Sequence, residues 1–233
     1  MNILSFFKKD EFVDKSYGLT SPQLLDKYIS NPDFPYLISF PRTGSHWLRN
    51  VMELYFEKPA LVRVFYYKNP KDFTCIHVHD EDLTLQRKNI IYLYRHPVPT
   101  IYSQVNYYKE DLMDKNRVLY WANLYGRHLS KWLFEEGFTN RKTTITYENL
   151  KADFPVEFKK ICTHLNLPYD KGRVLKILSQ VSKEKIKKKV PDDSQVVNVK
   201  EDYEKLRDEF DNTFGELILK CIEDVDRRLI TLF

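Results

Sequence analysis

Arg42, Thr43, Gly44, Ser45 and His46 stand between an apolar run, residues 36–40 (YLISF), and a helical pattern carried by Trp47, Val51, Leu54 and Tyr55. A helix that starts there leaves its first backbone N–H groups unpaired and partly positive, which makes an anion site. Gly44 lets the backbone approach a ligand closely. Thr43 and Ser45 add hydroxyl donors, and Arg42 adds a fixed charge with a fork of N–H groups. An ATP-binding loop of the form GxxxxGK[ST] needs a further glycine and a lysine, and both are missing here. The expected chemistry is therefore phosphate binding without the magnesium and γ-phosphate apparatus.

A second set of polar residues lies further along. Arg95-His96-Pro97 closes the apolar run 89–94 (NIIYLY), and Ser103 follows in the next helical pattern. Residues 73–80 read FTCIHVHD, and if the strand continues, His77 and His79 point the same way because strand side chains alternate. A histidine that titrates near neutral pH suits proton transfer. The carboxyl-end position beside Asp80 favours His79 as a base, while His77, one pair earlier, suits a satisfied core histidine. Neither His96, His128 nor His164 has ligand spacing, and the last two fit helix surfaces or packing.

The elements that must position these residues follow from periodicity. Strands are expected at 36–40, 73–78, 89–94 and 143–146, with 61–66 as a further candidate. Helices are expected at 21–30, with Ser21 as cap and Pro22 first, and after residue 44. Others are expected at 98–108, 118–136, 156–165, 172–179 and from 201 to about 229. Alternating strands and helices imply an α/β fold of three layers, a central parallel sheet flanked by helices. Ligands of such sheets bind outside the carboxyl ends of the strands. Residues 41–46, His79, Arg95 and Tyr147 would all fall there.

The 233 residues suffice for one sizeable core, and 42% hydrophobic with 30% charged residues is ordinary globular composition. A net charge of +4 permits anionic ligands without announcing a nucleic-acid partner. Three scattered cysteines, Cys75, Cys162 and Cys221, fit neither a disulfide framework nor a zinc site. No apolar stretch is long enough for a membrane span, and the charges of the first segment follow its apolar run, the reverse of a secretory signal. A cytoplasmic chain is expected.

Taken together, these stretches resemble the cytosolic-type sulfotransferases, which use 3′-phosphoadenosine 5′-phosphosulfate (PAPS). The family loop Y-P-K-S-G-T-T-W is similar to Phe40–Trp47 here, and the family's YxxRNPxDxxxS is similar to Tyr92, Arg95-His96-Pro97 and Ser103. The stretch 146–168 (TYENLKADFPVEFKKICTHLNLP) is similar to a third family segment. The resemblance covers core motifs at 36–170 of a single domain 1–233, with a helical C-terminal part at 171–233. It implies a P-loop-type fold, with PAPS as donor and 3′-phosphoadenosine 5′-phosphate (PAP) as product. The acceptor would be a small molecule or glycan, and neither metal nor nucleic acid is implied.

Carried over by position, Arg42, Thr43, Gly44, Ser45 and His46 would hold the 5′-phosphosulfate, with Trp47 near the adenine. Arg95 and Ser103 would hold the 3′-phosphate, and Tyr147 would contact the base region. The family has a histidine base between the two phosphate motifs. Arg42 stands where the family's lysine is usual, as in the P-R-[ST]-G-S loops of some carbohydrate sulfotransferases, which tilts the acceptor towards a glycan. His46 either hydrogen-bonds a phosphate oxygen or is a tolerated substitution. The family's C-terminal R-K-G-x-x-G-D-W element is absent. The lysine run 183–189 is either a solvated face or a segment that closes over the 3′-phosphate. Tyr102, Tyr107 and Tyr108 are candidates to line an acceptor cleft. The same loop also suits a P-loop nucleotide kinase or NTPase, or a non-catalytic nucleotide or polyanion binder.

Overall fold

The computed structural model describes residues 22–61, 64–67, 70, 72–137, 139–181 and 202–233. The cap expected at Ser21, two residues of the candidate strand 61–66, the lysine run 183–189 and the loop after it lie outside the described residues.

Four strands are named among them: β1 (Tyr36–Ser39), β2 (Ile76–Val78), β3 (Asn89–Tyr94) and β4 (Arg141–Thr146). All pair in parallel, in the spatial order β2-β1-β3-β4. The helices are α1 (Pro22–Ile29), α2 (Ser45–Phe56), α3 (Pro97–Tyr107), α4 (Lys115–Phe134), α5 (Tyr147–Ala152), α6 (Phe154–His164), α7 (Lys171–Leu178) and α8 (Tyr203–Val225), followed by a 3-10 turn at Arg227–Leu232.

Side-chain alternation along the strands builds the layers. Tyr36, Ile38, Ile90 and Tyr92 pack on one face of the sheet with Ile101 of α3, Tyr125 of α4 and Ile218 of α8. Leu37, Ile91, Leu93 and Ile145 pack on the other with Leu48 of α2, Phe158 of α6 and Val174 of α7. Both faces are covered, which is why the inner strands read as unbroken apolar runs. The chain order reverses between β1 and β3, so the crevice beyond their carboxyl ends is the place where a ligand of this architecture is expected.

Three expectations need correction. Residues 73–75 do not extend β2: Thr74 N donates to Pro59 O and Leu61 N to Cys75 O, so this stretch runs against 59–61 instead of β1. Among its described residues, the candidate strand at 61–66 reduces to one bridge, Leu61 with Ile76. The short helix α5 was not anticipated, although Thr146 is a capping type and its side chain accepts from Asn149 N at 3.0 Å. No helix among the described residues is long and apolar enough to cross a membrane.

Candidate active site

The loop between β1 and α2 is bent by two left-handed residues. Arg42 has φ 68° and Gly44 φ 96°. Gly44 is required twice over: a Cβ there would also stand 2.5 Å from Cδ2 of Tyr147. Gly44 is the N-cap of α2 and no side chain caps that end, so the first N–H groups of the helix face the crevice. Thr43 is fully buried and its hydroxyl donates to Phe40 O at 2.8 Å, so its side chain braces the turn and leaves only its backbone for a ligand.

Arg95, at the end of β3, lies beside this loop. Its Nη1 donates to Arg42 O at 3.3 Å, and its guanidinium sits 4.5 Å from the centre of the Tyr147 ring. Its Nε is buried without a hydrogen-bond partner. Tyr125 pins the segment: its hydroxyl accepts from Arg95 N and donates to Arg95 O at 2.6 Å. Trp47 meets Tyr147 edge to face at 6.2 Å. Arg42 stacks over the Tyr107 ring at 4.7 Å. The structure thus brings Arg42, Gly44, Trp47, Arg95 and Tyr147 together. Ser103 is half-buried on α3 in the helix that follows Arg95. Tyr102 is buried in the core against Phe210, which removes it from the rim, whereas Tyr108 is exposed and stacks flat on Trp121.

The two histidines differ in what their nitrogens do. His79 Nδ1 lies 2.7 Å from Ser39 O. A carbonyl only accepts, so Nδ1 carries the proton and Nε2 presents a lone pair. His77 is buried, with Nδ1 2.6 Å from Arg49 Nη1 and Nε2 3.1 Å from Ser39 Oγ. Both of its nitrogens are engaged. Asp80, next to His79 in the chain, is bound in two-pronged fashion to Arg87 at 2.9 and 3.0 Å, so it does not orient the imidazole. His128 holds the backbone of His79 instead: Tyr92 Oη is 2.8 Å from its Nδ1, and its Nε2 donates to His79 O at 2.7 Å. Burial pushes His79 below the ordinary histidine value. Arg49 and Arg42 push the same way, against the Ser39 carbonyl and Asp80.

His46 turns its ring against Phe65 at 5.4 Å, and Asn50 donates to its carbonyl. Arg49, Asn50 and Glu53, polar residues of α2 outside its apolar stripe in sequence, are buried. Their partners explain it: Glu53 accepts from the backbone N–H groups of Phe65, Tyr66 and Tyr67, and Arg49 meets His77. Ser39, Arg49, Tyr125 and His128 are site residues that the sequence reading missed. Only Ser39 left a signal there, as the one polar residue of an apolar strand.

His128 and His164 are also held neutral by burial, at about 3 and about 4. The unfolded chain takes up these protons below about 6.5 and the folded chain does not, so stability is lost as pH falls through that window. Each group removes up to about 1.4 kcal/mol per pH unit. The melting temperature is expected to drop steadily between pH 7 and pH 5, and less so in His164→Asn. Equal slopes for the two proteins would show that His164 does not contribute.

The model of the sulfotransferase family matches residues 49–171. No curated protein matches the chain. Among solved structures, a mouse sulfotransferase complexed with PAP aligns with 20% identity and a TM-score of 0.55, over 90% of this chain and 92% of that one. A retinol dehydratase in complex with androsterone and inactive cofactor PAP aligns with 15% identity and a TM-score of 0.58, over 88% of this chain and 85% of that one.

Proposed function

Because the chain belongs to the sulfotransferase family, we propose that it moves a sulfuryl group from PAPS to an acceptor hydroxyl, on a glycan or another alcohol, with His79 as the base. The observation that carries this is the tautomer of His79: its Nδ1–H is spent on Ser39 O at 2.7 Å, which leaves Nε2 as an acceptor on a ring that feels the charge of Arg42. The acceptor hydroxyl gives its proton to Nε2 while its oxygen attacks sulfur. The bond from sulfur to the bridging phosphate oxygen breaks, and PAP leaves with the electron pair.

Charge grows on that bridging oxygen. Arg42 and the backbone N–H groups of 44–46 are fixed donors there before reaction begins, which is how such sites lower barriers. Ser45 adds a hydroxyl, and His46 supports the loop through Phe65. Arg95 and Ser103 take the 3′-phosphate; the unpartnered Nε of Arg95 supports this. Trp47 and Tyr147 border the adenine. These groups supply the charge stabilisation and the base without a metal. Tyr107, under the Arg42 guanidinium at 4.7 Å, and the exposed Tyr108 would line the acceptor cleft. Helices α7 and α8 cover opposite faces of the one sheet, which supports a single domain over 1–233.

Labelled PAPS offered with a panel of glycans, alcohols and phenols tests the reading, and label must pass to an acceptor. The 3′-phosphate assignment has its own test. Arg95→Ala is expected to weaken PAP by about 2 kcal/mol, roughly 30-fold, as for a lost hydrogen bond to a charged group. Adenosine 5′-phosphosulfate lacks the 3′ group and should lose far less. Equal losses in calorimetric titrations would take Arg95 away from the 3′-phosphate.

A further inference from the structure

The ring of His79 is the end of a buried chain of polar groups that starts on α2. Arg49 is 3% exposed, and its Nη1 lies 2.6 Å from His77 Nδ1. A guanidinium only donates, so His77 Nδ1 must accept and the ring proton sits on Nε2. That proton points to Ser39 Oγ at 3.1 Å. The same Ser39 holds His79 through its carbonyl at 2.7 Å, and the two imidazoles meet edge to face at 4.9 Å.

We propose that Arg49 is a positioning residue for His79, acting through His77 and Ser39 without touching substrate. The role rests on the reading of His79 as the base. Arg49 fixes one tautomer of His77, His77 fixes the Ser39 hydroxyl, and Ser39 meets His79 Nδ1 with its carbonyl at 2.7 Å and that hydroxyl at 3.5 Å. The charge of Arg49, buried in a medium where like charges repel strongly, also disfavours a second cation on either ring. His79 then stays neutral, with its lone pair available, under conditions where a solvated histidine would be protonated.

Of the other groups that face these rings, Arg42 also lowers the pKa of His79 but has no hydrogen bond to either imidazole. His79 meets Arg42 from the loop and Asp80 from its own segment, and Asp80 is shared with Arg87. His128 reaches the His79 backbone from α4. His77 faces Arg49, His79 and His46. Among the charged groups facing the pair, Arg49 is the one within hydrogen-bond distance of an imidazole nitrogen, His77 Nδ1.

The test is two-dimensional NMR of the imidazole nitrogens across a pH titration of the full chain. In the wild type, His77 is expected as the Nε2–H tautomer, without titration near the ordinary histidine value. In Arg49→Met, the midpoint of His79 should move up towards that value. In Arg49→Lys, which keeps the charge, it should stay close to wild type. His128, which Arg49 does not face, should be unchanged throughout and reports on the fold. A wild-type His77 in the Nδ1–H form, or one titrating normally, overturns the proposal without any variant. So does an unshifted His79 in Arg49→Met. If His79→Ala has lost transfer, that second outcome removes only the role of Arg49. If His79→Ala transfers at full rate, the base falls and Arg49's role in the reaction falls with it.

Discussion

His79→Ala is expected to lower transfer from PAPS by about 100–10000-fold, the usual contribution of a positioned general base, and to leave PAP affinity almost unchanged. The split follows from geometry. His79 meets Ser39 O and its backbone is held by His128, while the groups proposed to hold the phosphates lie in the loop before α2, just after β3 and on α3. The variant should therefore still melt higher in the presence of PAP. The acid side of the wild-type kcat/KM profile carries the same information. The base must be neutral to accept a proton, so rate falls as pH falls through its folded value. Burial holds that value below the ordinary one, so the acid limb belongs below about 6.5. It should vanish from the residual rate of His79→Ala. His77→Ala is expected to be milder, because His77 props Ser39 and offers no open lone pair. If His77→Ala abolishes transfer and His79→Ala does not, the assignment of the base is wrong.

Arg42→Gly should lower kcat by about 100–1000-fold, the typical cost of removing one preorganised donor from a developing oxyanion. Its fold should not suffer. Arg42 has φ 68°, and a non-glycine residue in that region carries about 1–2 kcal/mol of strain. Glycine relieves it, so the melting temperature should hold or rise while activity collapses. Burial also costs the guanidinium, which the Tyr107 ring at 4.7 Å offsets only in part. A residue kept despite strain and desolvation is the pattern expected where a site needs its charge. Arg42→Lys should recover part of the rate. A glycine variant that turns over at the wild-type rate would show that α2 alone stabilises the leaving group.

The layers were legible because they are written in local pattern. Buried runs ended by Pro41 and by His96-Pro97 gave β1 and β3, and the turn chemistry of 41–46 gave the start of α2. What stayed hidden depends on partners distant in the chain. Arg49 and Glu53 look like the wet side of an amphipathic helix until His77 and the backbone of 65–67 arrive to satisfy them. Strand position alone ranks His79 over His77. The hydrogen bonds of the two rings depend on the fold, with Ser39 as the group that both rings share. Asp80 next to His79 suggested a partner that the fold gives to Arg87 instead.

The most direct measurement compares melting temperatures with PAP and with ATP plus magnesium. Both ligands offer adenine and a 5′-phosphate, but only PAP carries a 3′-phosphate for Arg95 and Ser103. Specific binding to the folded state raises stability by about 2.7 kcal/mol at a hundredfold excess over Kd. PAP is expected to raise the melting temperature by several degrees and ATP with magnesium by far less. Equal stabilisation by the two, or a larger effect of ATP, would contradict a PAPS site and point to a nucleotide kinase.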